Sequence, residues 1–335
     1  MQMTKTARVV LGLLLIGSLT SCKVIENLRK GQGLKGNVAS ASGETAASRE
    51  EQKDAELSLK LEGYIDCLNF ASADASRARL SYLMHVDEAR GPTGKEANLW
   101  VPEINTSRCL PGIEKAKTLP PQLPELETLA ANYRAALDAL LPLVKGAHDY
   151  YDHKDFKDDN WQRGKQLHPE LIAAFAKFNE AHVPFNKQVT ELNDAVSSRR
   201  LLRLAHLPEA RFQFLIEKAL DDAKSLVKLA DAEFSKLDVV AFGERLDAYE
   251  KSFNEFRSYE GAHPEEASRI TALTVFRSSA EDYLKAAKEL MRRKRDNRGF
   301  EAVKGNPENV DGHPAQVVAR YNRVVNASNS LFFKR

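Results

Sequence analysis

The chain has 335 residues, of which 49 are Lys or Arg and 47 Asp or Glu, giving a formal net charge of +2. That surplus lies in the first 21 residues: without Lys5 and Arg8, 47 basic side chains face 47 acidic ones. A chain so balanced lacks the basic excess with which nucleic-acid binders neutralise phosphates, and that class is set aside.

Lys5 and Arg8 form a short positive region, followed by the apolar run Val9 to Ile16, broken only by Gly12, and then by small residues. This order marks residues 1–21 as a secretory signal, and the apolar run is too short to span a bilayer. Leu19-Thr20-Ser21-Cys22 resembles the bacterial lipobox. That resemblance implies cleavage before Cys22 and acylation of its thiol and new amine, so that the protein's first partner is a membrane. Stable anchoring takes about two acyl chains, which a mature lipoprotein has. Lys23 in the next position, by resemblance to the enterobacterial sorting rule, implies the outer membrane, with the body in the periplasm. Export is a second argument against nucleic acid.

Residues 22–53 are expected to form a lipid-bearing, flexible tether. The stretch contains Gly31, Gly33, Gly36 and Gly43, and shows no core-forming pattern after Leu34. From Asp54 the apolar spacing is helical. Leu57, Leu61, Ile65 and Leu68 open a helix whose predicted end is Gly91-Pro92. Thr93 and Glu96 have the spacing of a capping box for a following helix. Pro102, Pro111 and Pro120-Pro121 make the stretch to Leu123 irregular.

Pro124 suits the first turn of a helix carrying Leu126, Leu129, Tyr133, Leu137, Leu140 and Val144. A polar turn from about Asp152 to Arg163 leads to a helix lined by Leu171, Phe175, Phe178, Val189, Leu192 and Val196. Further helices are predicted at Glu209 to about Phe234, Val239 to Tyr259, Glu265 to about Asn297, and Ala315 to about Ser328. No run alternates between apolar and polar residues, so the expected class is all-α: an elongated antiparallel helical bundle over 54–335. That length is large for one bundle and accommodates two packed lobes, with a candidate seam near 199–208.

Cys67 and Cys109 remain after Cys22, an even pair in an oxidising compartment. A disulfide is the default reading, worth roughly 4 kcal/mol on the chain-entropy model, with two free buried thiols as the alternative. Gly91-Pro92-Thr93-Gly94-Lys95-Glu96 lacks the glycine spacing and the hydroxyl of a phosphate-binding loop, and Glu96 would repel a phosphate.

The richest polar segment is His148 to Asp155. His148 with Asp152, and Asp149 with His153, are each one helical turn apart, so each pair offers two metal ligands on one face. With Asp155 the set His148, Asp152, His153 and Asp155 defines a candidate metal or small-ligand site, extending to His168. The competing reading is a set of solvated contacts at a helix C-terminus. No cofactor is predicted beyond such a metal. Arg292, Arg293, Lys294 and Arg295 read either as charges stabilising a helix end or as a contact for an anionic envelope partner. Neither an HExxH nor a GxSxG pattern is present, which weighs against a common hydrolase.

Tyr64-Ile65-Asp66-Cys67-Leu68-Asn69, Gly91 to Glu96, Leu123-Pro124-Glu125-Leu126, Tyr150-Tyr151-Asp152, Phe156 to Asn160 and Gly164-Lys165 occur in the order seen in the YiiG-like bacterial lipoproteins. The chain resembles that family over most of Leu61 to Asn326, most strongly between Tyr64 and Phe178. The resemblance implies a largely helical domain of unknown function, and places family cysteines at Cys67 and Cys109, in support of their pairing. The expected role is a non-enzymatic envelope lipoprotein binding another protein or a cell-wall component. The alternative is a metal- or small-ligand-dependent activity, enzymatic or not, at residues 148–168.

Overall fold

A computed structural model describes residues 46–96, 98–230, 234–300 and 306–333. The predicted signal, Cys22 and the tether up to residue 45 lie outside the described residues. The described residues divide into two compact units, 46–199 and 200–333, and the division falls between Arg199 and Arg200.

The first unit is built on α1 (Ala46–Asp66), a π-helical turn (Cys67–Ala71) and α2 (Ser72–Leu83), which run on as one rod. Helix α1 begins at Ala46, so residues 46–53, expected in the tether, are helical. Their Arg, Glu, Gln and Lys side chains are good helix formers, and α1 extends them from a packed end. Short α3 (Cys109–Thr118), long α4 (Pro124–Asp152) and α5 (Gln162–Ala205) complete the unit, which α5 leaves at Arg199.

The apolar stripe of α4 places Leu126, Ala130, Tyr133, Leu137, Leu140, Val144 and Ala147 in the core, each at most 1% exposed. Tyr133 meets Phe178 and Phe185 of α5 at 5.3 and 4.9 Å between ring centres. Contacts fix the directions: Tyr64 touches Phe185, Ser72 bonds His182 and Tyr82 bonds His168, so the α1–α2 rod runs antiparallel to α5. Lys60 pairs with Glu127 and Ser72 with Tyr133, so the rod runs parallel to α4, which the long return through 84–123 allows.

Helices α1 and α3 cross where Gly63 meets Gly112, and the Cys67–Cys109 disulfide closes the same crossing one turn beyond Gly63, just past the end of α1. Both cysteines are fully buried. Lys60, on α1 and also fully buried, donates to the carbonyls of Ala116 and Leu119 at 3.1 and 3.0 Å and to Glu127 Oε1 at 2.7 Å. It thereby satisfies the Leu119 carbonyl just past α3 and gives Ala116 O, which already accepts from Leu119 N, a second donor.

Two sequence expectations fail between α2 and α3. The first helix ends at Leu83, eight residues before Gly91, because Asp87 turns the chain: its carboxylate accepts from Ala89 N and Arg90 N and its carbonyl from Gly91 N. No helix starts at Thr93, and none is present between it and Cys109 among the described residues. Glu96 instead folds back to accept from Thr93 N, Thr93 Oγ1 and Gly94 N, a capping-box bond made inside a turn.

The second unit is an up-and-down four-helix bundle of α6 (Arg211–Ala230), α7 (Val239–Ala262), α9 (Leu273–Arg295) and α10 (Pro314–Ser328), with the single-turn α8 (Pro264–Ser268) between α7 and α9. Phe212 packs on Tyr259, Phe256 on Phe276 and Tyr249 on Tyr283, so α7 is antiparallel to both its neighbours. The pairing of Tyr283 with Tyr321, and the approach of Gly312 to Glu289, do the same for α9 and α10. The core contains Leu215, Ile216, Leu226, Phe242, Phe253, Leu273, Leu290, Val317 and Val324. Tyr249 donates its hydroxyl to Ala280 O at 2.9 Å, and Tyr283 to Ala223 O at 3.0 Å. Asp238 caps α7, accepting from Val240 N and Ala241 N.

The helix expected from Glu265 to Asn297 is interrupted. Ala272 sits at φ 62°, and Ile270–Thr271 (β1) pairs antiparallel with Phe332–Phe333 (β2). This two-residue ladder is the sheet present among the described residues, and the all-α class stands. Phe212 is buried, whereas Phe214, two residues on, is half-buried with the Arg211 guanidinium 5.2 Å from its ring centre.

Candidate functional site

The segments singled out in the sequence converge on one corner of the first unit. Helix α4 ends in the buried pair Tyr150-Tyr151, and the chain turns through a 3-10 turn (Asp155–Lys157) into α5. Lys154, Asn160 and Trp161 adopt the left-handed region at φ 63°, 52° and 67°, rare for a residue as bulky as Trp161. Trp161 is held there by its ring, which is 7% exposed and packs 4.4 Å from Phe156 and 6.2 Å from Tyr151.

Asp159 ties this turn together, accepting from Tyr150 OH at 2.8 Å and from Arg163 N at 2.9 Å. Burial works against its charge, but these bonds and others from backbone N–H groups outweigh it and hold the carboxyl below its usual range. Residues 91–96 cross the same corner. Gly91, at φ 75°, lies so close to the His168 ring that an added Cβ would come within 2.9 Å of it, and Gly94, at φ 90°, faces Trp161. Beneath them Tyr82 OH donates to His168 Nδ1 at 2.9 Å, while His168 Nε2–H donates to Glu88 O at 3.1 Å. Both ring nitrogens of His168 are thus engaged. Burial pushes the Tyr82 hydroxyl up to about 12 and raises that of Tyr151 further.

The predicted metal set does not come together. His148 is half-buried and its Nδ1–H donates to Val101 O at 2.8 Å. Asp152 and His153 are exposed, and Asp155 lies in the 3-10 turn. The helix ends at Asp152, so the chain direction changes before the later residues can share a face with His148. His148 is grouped instead with Asp149 and Glu103, with potential ligand atoms within 4.8 Å of one another. Lys145 pairs with both carboxylates, at 3.0 Å from Asp149 and 3.6 Å from Glu103. Its hydrogen bond lowers the Asp149 carboxyl from the usual range, and Asp149 in turn raises the Lys145 ammonium. Glu103 comes from the irregular stretch before α3, and no local spacing signals its approach.

The basic run at the end of α9 is engaged within its own unit. Arg292 and Arg293 pair with Glu289, and Arg293 also lies over the Phe300 ring. Lys294 donates to Phe234 O and Ser235 O at 2.8 and 2.9 Å, and Arg295 pairs with Asp296. The dense charge thus has local structural work, fastening α9 to the turn at Phe234–Lys236.

A buried polar cluster escaped the sequence reading. Ser72 Oγ lies 2.9 Å from Tyr133 OH and 3.1 Å from His182 Nδ1, with His182 only 2% exposed. His182 Nε2 has no hydrogen-bond partner among the described residues, and burial lowers this imidazole to about 4. In the sequence His182 is one polar residue in a mixed stretch, Lys177 to Lys187, with no motif to mark it.

The family model described as a protein of unknown function (DUF3829) matches residues 55–330, nearly the whole described body. The chain belongs to that family. It is also similar to the uncharacterized protein YiiG of Escherichia coli (strain K12), with 26% identity over 266 residues, covering 77% of this chain and 72% of that one. No solved structure matches the chain significantly. Family membership therefore establishes kinship and leaves the activity to be argued from the molecule.

Proposed function

We propose that this DUF3829 protein is a lipid-anchored envelope protein whose helical body faces the periplasm and binds another envelope component without catalysing a reaction. The observation that carries the reading is the division of labour among three cysteines. Cys67 and Cys109 are joined and fully buried, as suits an oxidising compartment, which leaves Cys22 in its lipobox-like context for acylation. No described helix is long and apolar enough to cross a membrane, so lipid at Cys22 would supply the attachment. The absence of catalytic work is supported by the corner itself, where Tyr82, His168, Tyr150 and Asp159 direct their hydrogen bonds at one another.

Labelling cells with a palmitate analogue tests the anchor. The wild-type protein takes up label and fractionates with the outer membrane, and Cys22→Ser abolishes the label and releases the body into the periplasm. Equal labelling of Cys22→Ser, or a mature protein that still begins at Met1, overturns the reading. In-cell crosslinking of the lipidated protein then identifies the component it holds.

A further inference from the structure

We propose that Glu103, His148 and Asp149 form a site for one zinc-class divalent cation, which enters by displacing the Lys145 ammonium. Their ligand atoms lie within 4.8 Å of one another, whereas ligands about 2.1 Å from a tetrahedral zinc are spaced by roughly 3.4 Å. The set must contract by up to about 1.4 Å, and the Glu103 and Asp149 side chains, 56% and 42% exposed, have room to do so.

Three features point to a cation of this class. The His148 ring is oriented from outside the group: Nδ1–H donates to Val101 O at 2.8 Å, which leaves the lone pair on Nε2. Metal-binding histidines are held in this way, with one nitrogen on a carbonyl and the other on the ion. The two carboxylates already converge on a positive charge, since Lys145 Nζ stands 3.0 Å from Asp149 Oδ2 and 3.6 Å from Glu103 Oε1. Lys145 is itself 63% exposed, so its ammonium can swing into water when a divalent ion replaces it. One imidazole and two carboxylates, from α4 and the strap before α3, suit zinc and leave a coordination position for water, whereas calcium needs six to eight oxygens.

Titration calorimetry of the purified full-length protein with Zn2+, and the ligand-field absorption of Co2+ in the same site, test the proposal. The wild type binds one equivalent of either ion, and Ca2+ does not compete. His148→Ala and Glu103→Gln each weaken binding by at least about tenfold, a loss that even an outer hydrogen-bond partner can cause. Because Glu103 is exposed, its variant reports on the ion and not on folding. Lys145→Met tightens binding, since no ammonium competes. Absence of stoichiometric binding to the wild type overturns the site, as does binding that survives both ligand variants or is matched by Ca2+. A Lys145→Met chain that binds no more tightly overturns the displacement.

Discussion

Gly63 and Gly112 meet backbone to backbone: a Cβ added at Gly63 would fall 2.2 Å from Gly112 O, and one added at Gly112 would fall 2.8 Å from Gly63 O. The obstruction is main chain and cannot rotate away. Gly63→Ala must therefore push α3 off α1, at a cost of roughly 1–3 kcal/mol or more for overpacking. Urea unfolding should show the midpoint falling with the slope unchanged. A neutral Gly63→Ala would mean that the two helices are not in contact.

The crossing is also where Cys67 joins Cys109 over 42 positions. Replacing both with Ser should lower stability by about 4 kcal/mol on the loop-entropy estimate. Denaturation with and without reductant measures it: reductant should destabilise the wild type and leave the double variant unchanged.

His182 gives the first unit a predictable acid response. Its imidazole is lowered to about 4 in the folded chain, against 6.5 for an unperturbed histidine. Between those values the unfolded chain takes up a proton that the folded chain refuses, so stability falls as pH drops from 6.5 through about 4. The loss approaches roughly 3 kcal/mol at about 1.4 kcal/mol per pH unit. Unfolding midpoints at neutral pH and near pH 4 should differ less in His182→Leu than in the wild type. Equal differences in the two proteins would show that His182 is not the buried neutral group.

Lys60 tests how a buried charge is tolerated. Lys60→Met keeps the volume of the stem but strands the carbonyl of Leu119, leaves Ala116 O with only its bond from Leu119 N, and takes the cation from Glu127. The Glu127 side chain is 26% exposed, so water recovers part of its solvation. A loss of roughly 2–3 kcal/mol is expected, below the full cost of an isolated buried charge. Adding Glu127→Gln should restore part of it, readable as coupling in a double-mutant cycle.

The long helices were legible because one burial pattern runs through each. The predicted stripe from Leu126 to Val144 repeats every three or four residues and faces the core throughout except at Leu129, which is half-buried beside the buried Ala130. What escaped depends on partners remote in sequence or on backbone geometry. Thr93 and Glu96 have the same spacing whether or not a helix follows, and only the tight turn at Gly94 decides against one. The interruption at Ile270 follows from pairing with Phe333, sixty-three positions away and invisible to local periodicity. At the candidate site, His148 was identifiable by residue type, but Glu103 reaches it through a non-helical strap. His182 was hidden because, beside Asn179, Glu180, Asn186 and Lys187, it resembles a solvated residue until its burial is known.

The two tyrosine hydroxyls in the second unit tie three helices to fixed heights along the bundle axis. Tyr249 of α7 grips α9 at Ala280, and Tyr283 of α9 grips α6 at Ala223. Sliding α9 by one turn would break both bonds at once and strand two hydroxyls in an apolar interior, at roughly 1–3 kcal/mol each. Greasy stripes alone tolerate such slippage, whereas these two phenols act as pegs. The helices of this bundle are therefore expected to separate together, in a single opening, with no intermediate in which one has shifted along another.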